Sequence, residues 1–278
     1  MHCLHFVFLF SCLLCFHGSL PEAARPPTEE YSCTFGNGRV LVDATTKEYS
    51  IILPYASFLG QTLVGGSYRL FYNETWYTNP QEEEGPLLVD RNVTTTRGVD
   101  SLGQYDAISI VWTWGTDGAW TTSFKCYESV LVFAQSFPSG FNDQPGGSRD
   151  LDTPSAVFPS FVSSDFAFQN VRLATFFGQN AAKSTRYGSW PQAYAGGYIG
   201  GPLCLFGDPL KATGAIILSP LTHHMLAIHQ IAERGNGEVL EFGLEGLLHT
   251  IPSNFSIEFV LYAGAVPTAQ ECKHWDGQ

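Results

Sequence analysis

Ile108-Ser-Ile-Val-Trp-Thr-Trp114, Gly115-Thr-Asp-Gly118 and Ala119-Trp-Thr-Thr-Ser-Phe124 form one unbroken passage, and its reading decides the fold. Two runs of β-branched and aromatic residues alternate with period two around a Gly- and Asp-bearing turn, which is hairpin chemistry. Trp112 and Trp114 fall on one face and are assigned to a core. The second arm is expected to run on to Gln135, a length that suits a large sheet.

The same alternation recurs outward from this hairpin. It predicts strands at Arg39–Val42, Tyr49–Leu53, Tyr68–Tyr72, Ala107–Trp114, Phe124–Phe133, Val171–Phe176, Leu203–Phe206, Ala215–Leu218, Glu238–Phe242 and Ile257–Leu261. Asn37-Gly38 and Asn236-Gly237 each precede a strand, and Asn-Gly readily takes positive φ in a turn. Leu221–Glu233 allows a short helix. Ser136–Pro159 breaks the pattern with clustered Pro and Gly and with Asp143, Asp150 and Asp152, so it reads as a long irregular loop. The expectation is an all-β protein: one large antiparallel β-sandwich, of the supersandwich type, with long irregular loops.

Met1–Phe16 is almost wholly apolar and leads into a polar, Pro-bearing stretch, Gly18–Pro27. That run is too short for a membrane span of ~20 residues and matches the hydrophobic region of a secretory signal. Residues 1–24 are therefore read as a signal peptide and 25–278 as a single sandwich domain, secreted and extracellular, with no membrane span after cleavage.

A formal net charge of −12, with charged residues at 14% of the chain, argues against nucleic acid as a partner, because phosphate binding needs clustered Lys and Arg. Cys33, Cys126, Cys204 and Cys272 lie beyond the leader and are disulfide candidates whose pairing the sequence leaves open. Asn73-Glu-Thr75, Asn92-Val-Thr94 and Asn254-Phe-Ser256 are acceptor triplets for N-linked glycans.

Motifs for chemistry are sparse. His223, His224, His229 and His249 lack the spacing that would converge on a metal, and no metal or cofactor is expected. No G-x-S-x-G, H-E-x-x-H or phosphate-cradling loop occurs. Glu82-Glu83-Glu84 reads as a solvated loop, and Asp150 with Asp152 as turn-forming residues before any pair of hydrolytic carboxylates. The aromatic loop Arg186–Gly201 carries Tyr187, Trp190, Tyr194 and Tyr198 among glycines. Such rings either stack on the apolar face of a sugar or pack against the sandwich.

Ser136-Phe-Pro-Ser-Gly-Phe141, Phe158-Pro-Ser-Phe161, Gly200-Gly-Pro-Leu-Cys-Leu-Phe206, Ser219-Pro-Leu-Thr-His-His-Met225, Ile251-Pro252 and Phe259-Val-Leu-Tyr-Ala-Gly264 together carry a resemblance. They are similar to segments of secreted eukaryotic proteins distantly related to the raffinose synthase and α-galactosidase enzymes of glycoside hydrolase family 36. The resemblance implies the N-terminal β-supersandwich of such an enzyme, with Phe259–Gly264 as the last strand before a catalytic (β/α)₈ barrel. The family's catalytic carboxylates lie in that barrel, so it transfers no catalytic residue to this chain. The expected function is a secreted glycoprotein domain without catalysis of its own, partnered by carbohydrate or by a catalytic domain. The alternatives are a lectin-like module built on the aromatic loop, and a fragment of a complete hydrolase.

Overall fold

The computed structural model describes residues 29–80, 85–114, 118–140, 153–163, 171–177, 185–192, 194, 197–198, 200–207, 214–235, 237–248 and 250–265. The strands in chain order are β1 (Glu30–Phe35), β2 (Gly38–Asp43), β3 (Tyr49–Ile52), β4 (Thr62–Val64), β5 (Tyr68–Tyr72), β6 (Thr75–Asn79), β7 (Val89–Asp100), β8 (Gly103–Trp114), β9 (Gly118–Tyr127), β10 (Leu131–Phe137), β11 (Ala156–Val162), β12 (Arg172–Phe177), β13 (Thr185–Ser189), β14 (Gly197–Tyr198), β15 (Gly200–Phe206), β16 (Gly214–Pro220), β17 (Ala227–Arg234), β18 (Gly237–Leu244) and β19 (Phe255–Ala265). One 3₁₀ turn, Ser57–Leu59, is the helical element among the described residues.

These strands make three antiparallel sheets. A nine-stranded sheet runs β13-β12-β15-β16-β19-β10-β9-β8-β7, a six-stranded sheet runs β14-β17-β18-β11-β5-β6, and a four-stranded sheet runs β1-β2-β3-β4. The two larger sheets face each other through aromatic side chains. Phe124 and Phe133 of the first meet Phe158 of the second with ring centroids 5.1 and 5.6 Å apart, and Trp112 meets Tyr68 at 4.6 Å. Offset and edge-on ring pairs of this kind add to the free energy of apolar burial. The expected all-β sandwich is the architecture observed.

The hairpin that decided the reading lies inside this core. Ile108, Ile110, Trp112 and Trp114 point inward from β8, and Trp112 sits opposite Trp120 of β9. The buried Trp112 indole donates from Nε1 to Thr122 Oγ1 at 2.9 Å, so the polar end of the ring is satisfied. The expected arm to Gln135 is corrected, because Glu128–Val130 turns the chain and Tyr127 N–H bonds Val130 O. β9 and β10 are therefore separate strands paired with each other. The short helix allowed at Leu221–Glu233 is corrected to a turn followed by β17, which pairs with β18 over eight residues. The irregular loop is shorter than expected, because β10 extends to Phe137 and β11 begins at Ala156. Residues 141–152, with Asp143, Asp150 and Asp152, lie outside the described residues.

Phe158-Pro-Ser-Phe161 has a specific structural role. Pro159 lacks an N–H for the ladder, and β11 carries a bulge between Val157 and Ser160. The Ser160 N–H donates to Tyr49 Oη at 2.9 Å, and the same hydroxyl donates to the Ser160 carbonyl. Tyr49 also contacts Tyr68, Phe124, Phe158 and Phe161. One side chain of the four-stranded sheet thus closes both a backbone irregularity and the meeting point of the larger sheets.

A candidate binding groove and the aromatic loop

Three places combine polar chemistry with a defined setting. The first is a groove where the β7–β8 hairpin tip passes β1. Cys33 of β1 and Cys126 of β9 form a disulfide across this junction, and Gly36 N–H bonds Glu128 O beside it. Beyond the disulfide lies an open cavity of about 760 Å³ lined in part by Thr34, Arg97, Val99, Gln104, Asp106 and Glu128. The β7–β8 register pairs Arg97 with Asp106 and Val99 with Gln104. Arg97 Nε donates to Asp106 Oδ1 at 2.8 Å, with both side chains in solvent. An exposed pair of this kind contributes at most about 1 kcal/mol to stability, so its groups remain available to a ligand. At the rim, Tyr127 donates to Asp100 Oδ2 at 2.6 Å, and this bond holds the Asp100 carboxyl below its ordinary range. The groove offers carboxylate, amide and guanidinium groups beside Val99 and Leu102, a mixture suited to a small polar ligand.

The second place is the aromatic loop. Trp190 is 6% exposed and belongs to the core, with its ring 5.5 Å from Tyr194 in an edge-on contact. Tyr194 turns inward as well, and its hydroxyl lies 2.7 Å from His229 Nδ1. Burial pushes the Tyr194 hydroxyl pKa up and depresses that of the His229 imidazole to about 4, an effect the Gly201 backbone partly offsets. Tyr187 occupies β13 opposite Ala174, and Tyr198 occupies β14 opposite Ile228. Their side chains lie outside the described residues. The two rings whose placement is described, Trp190 and Tyr194, both engage the interior.

The third place is a buried ionic cluster that the sequence reading did not single out. Glu241 of β18 is fully buried. Its Oε1 accepts from Arg69 Nη1 at 2.8 Å and from Arg234 Nε at 2.9 Å, and its Oε2 accepts from Arg234 Nη2 at 2.9 Å and Gln230 Nε2 at 2.6 Å. The Arg69 guanidinium also lies 4.2 Å from the Trp76 ring centroid, a cation–π distance. Gln230 and Arg234 reach Glu241 across the β17–β18 hairpin, whereas Arg69 lies 172 residues away and is brought in only by the β18-β11-β5 strand order. Its carboxylate is engaged at both oxygens, and the cluster reads as a structural device.

The remaining candidates fall as follows. His223 and His224 are exposed, His229 is buried, and His249 lies outside the described residues, as do Glu82–Glu84 and Cys272. No group of three metal-ligating side chains occurs among the described residues. Cys204 is a free thiol on β15, its pKa raised by burial. Asn73, Asn92 and Asn254 are all exposed, on the β5–β6 turn, on β7 and just before β19. Among the described residues, no helix is long and apolar enough to cross a membrane.

No family model matches the chain, and no curated protein sequence matches it. Solved structures do. The α-N-acetylgalactosaminidase NagBb from Bifidobacterium bifidum in complex with GalNAc is 15% identical, with a TM-score of 0.55, over 88% of this chain and 38% of that one. The ligand-free form of the same enzyme gives a TM-score of 0.52 at 13% identity over the same shares. A glycoside hydrolase family 97 enzyme from Pseudoalteromonas sp. strain K8, in complex with acarbose, is 12% identical with a TM-score of 0.48, over 84% of this chain and 35% of that one. The chain thus spans well under half the length of the enzymes it resembles. At these identities the likeness to the α-N-acetylgalactosaminidase structures defines the fold alone, a β-sandwich of the kind part of that enzyme has. The expectation of family 36 in particular is narrower than this.

Proposed function

We propose that this chain is the non-catalytic β-sandwich of a glycoside-hydrolase-type architecture, secreted and glycosylated, and acting beside a catalytic unit. The observation that carries the reading is the match of 88% of this chain to 38% of an α-N-acetylgalactosaminidase. Within it, the kinship with α-galactosidases of family 36 is the finer form of the proposal. The Cys33–Cys126 disulfide supports passage through an oxidising compartment, and so do three exposed acceptor triplets. The test is labelling with mechanism-based probes that trap the nucleophile of retaining α-galactosidases and α-N-acetylgalactosaminidases. The proposal expects no covalent adduct on this chain, and an adduct on one of its carboxylates would overturn it.

A second reading, carbohydrate binding, is favoured by the groove, where Gln104, Asp106 and Glu128 can accept from or donate to sugar hydroxyls beside Val99. Saturation-transfer NMR with galactose and N-acetylgalactosamine tests it. Signals lost in Asp106→Ala support the reading, and an absence of signal with the native protein removes it.

A further inference from the structure

Sheet edges expose unpaired backbone groups, and proteins guard them with short strands, charges or covers. Five of the six terminal strands here are short. β13 and β6 have five residues each, β14 two, β4 three and β1 six. β7 is the exception, with twelve residues at the end of the nine-stranded sheet. It spans about 40 Å at ~3.3 Å per residue. Among the described residues it pairs with β8 alone. Its charges sit toward the ends, at Asp90, Arg91, Arg97 and Asp100, and leave Asn92-Val-Thr-Thr-Thr96 uncharged, β-branched from Val93 to Thr96 and free of Pro. Such a segment is well suited to pairing with its own copy in a second molecule.

One of the three acceptor triplets falls on this segment. Asn92 is exposed and pairs with Val111, on the sheet face opposite the inward Ile110 and Trp112. A bulge between Asp90 and Asn92 already distorts the strand there. We propose that Asn92 carries an N-linked oligosaccharide whose function is to cover the β7 edge and prevent edge-to-edge dimerisation of the nine-stranded sheet. The inference rests on the secreted reading given above.

The donor is a polyprenyl-diphosphate-linked oligosaccharide. Its sugar C1–O bond to the diphosphate breaks, and a C1–Nδ2 bond to Asn92 forms. The amide gives up one proton to a base of the transferase, and the lipid diphosphate leaves with the bonding pair. Asn73 and Asn254 lie on turns at positive φ, off this edge, and serve as internal controls.

The test is expression of the full chain in a secretory eukaryotic host, with peptide mass mapping and light scattering across a concentration series. The native protein is expected to carry sugar on Asn92 and to remain monomeric. Thr94→Ala, which removes the acceptor but keeps Asn92, is expected to raise self-association about tenfold or more. Adding Thr96→Lys to Thr94→Ala is expected to restore the monomer, since a charge on an edge opposes pairing. Trimming the folded native protein with an endoglycosidase that leaves one sugar gives the same comparison without a folding step, and is expected to raise association likewise. Asn73→Gln should change the mass and leave assembly unaltered.

A glycosylated Asn92 whose removal leaves the protein monomeric overturns the inference and spares the secreted reading. So does secreted protein with sugar at Asn73 and none at Asn92. Protein retained in the cell without sugar overturns both.

Discussion

Glu241 and Arg234 meet through two parallel hydrogen bonds, Nε to Oε1 and Nη2 to Oε2, each 2.9 Å long. Arg69 occupies the same carboxylate from β5 at 2.8 Å. Glu241 is buried with no exposure, so its charge is tolerated because two guanidiniums and the Gln230 amide surround it. Removing the carboxylate would take away the anion that Arg234 and the buried Arg69 both bond. Glu241→Ala is therefore expected to destabilise the protein by about 3–5 kcal/mol, measured by denaturant unfolding. A loss below about 1 kcal/mol would show that the cluster is not a structural centre.

Trp190→Ala is expected to destabilise by about 3–5 kcal/mol, because the indole is buried against the core and its removal opens a cavity. Thermal unfolding by circular dichroism measures this. An unchanged melting temperature would mean that the ring faces solvent, as a sugar platform would require.

His229 gives the sandwich an acid-sensitive point. Its pKa is depressed to about 4 by burial, while an unfolded imidazole titrates near 6.5. The unfolded chain binds the extra proton between these values, so stability should be intact above pH 6.5 and fall as pH drops toward 4. The loss approaches about 3 kcal/mol at the bottom of the window. His229→Gln should flatten this part of the stability–pH profile, and the same acid slope in that variant would assign it to other groups.

The disulfide joins residues 93 apart in sequence, so it restricts a large loop of the unfolded chain. Replacing Cys33 and Cys126 with serine is expected to cost about 2–5 kcal/mol. It should also loosen the β1 side of the groove, visible as faster amide exchange at Thr34 and Glu128. Unchanged stability in the double variant would contradict this.

β5 was read with its exact residues, and β2, β3, β8, β12, β15, β16, β18 and β19 were read in part, from runs of apolar and β-branched residues whose burial alternates in β2, β3, β16 and the second half of β8. β7 was missed because it is exposed along most of its length, so no alternation marks it. β11 was absorbed into a loop because Pro159 argues against a strand, and the structure accommodates it with a bulge closed by Tyr49. β17 was obscured by His229 and Gln230, polar residues that tertiary partners satisfy from Tyr194 and Glu241. The Glu241 cluster was hidden because its Arg69 lies 172 residues from Glu241 and joins it only through strand order, and the groove because it is built on β7, the strand that no alternation marked. Trp190 and Tyr194 were noticed for their type, but the inward placement of Tyr194 goes with a bond to His229 further along the chain, and Trp190 packs edge-on to Tyr194.

The central proposal is that this chain, whose β-sandwich fold it shares with an α-N-acetylgalactosaminidase, acts without a hydrolytic centre of its own. The most direct measurement is turnover of aryl α-galactoside and aryl α-N-acetylgalactosaminide by the purified, folded protein expressed from the full 278-residue sequence in a secretory host. The account predicts release of the aryl alcohol at the uncatalysed rate. Sustained turnover that a single carboxylate substitution in this chain abolishes would contradict it.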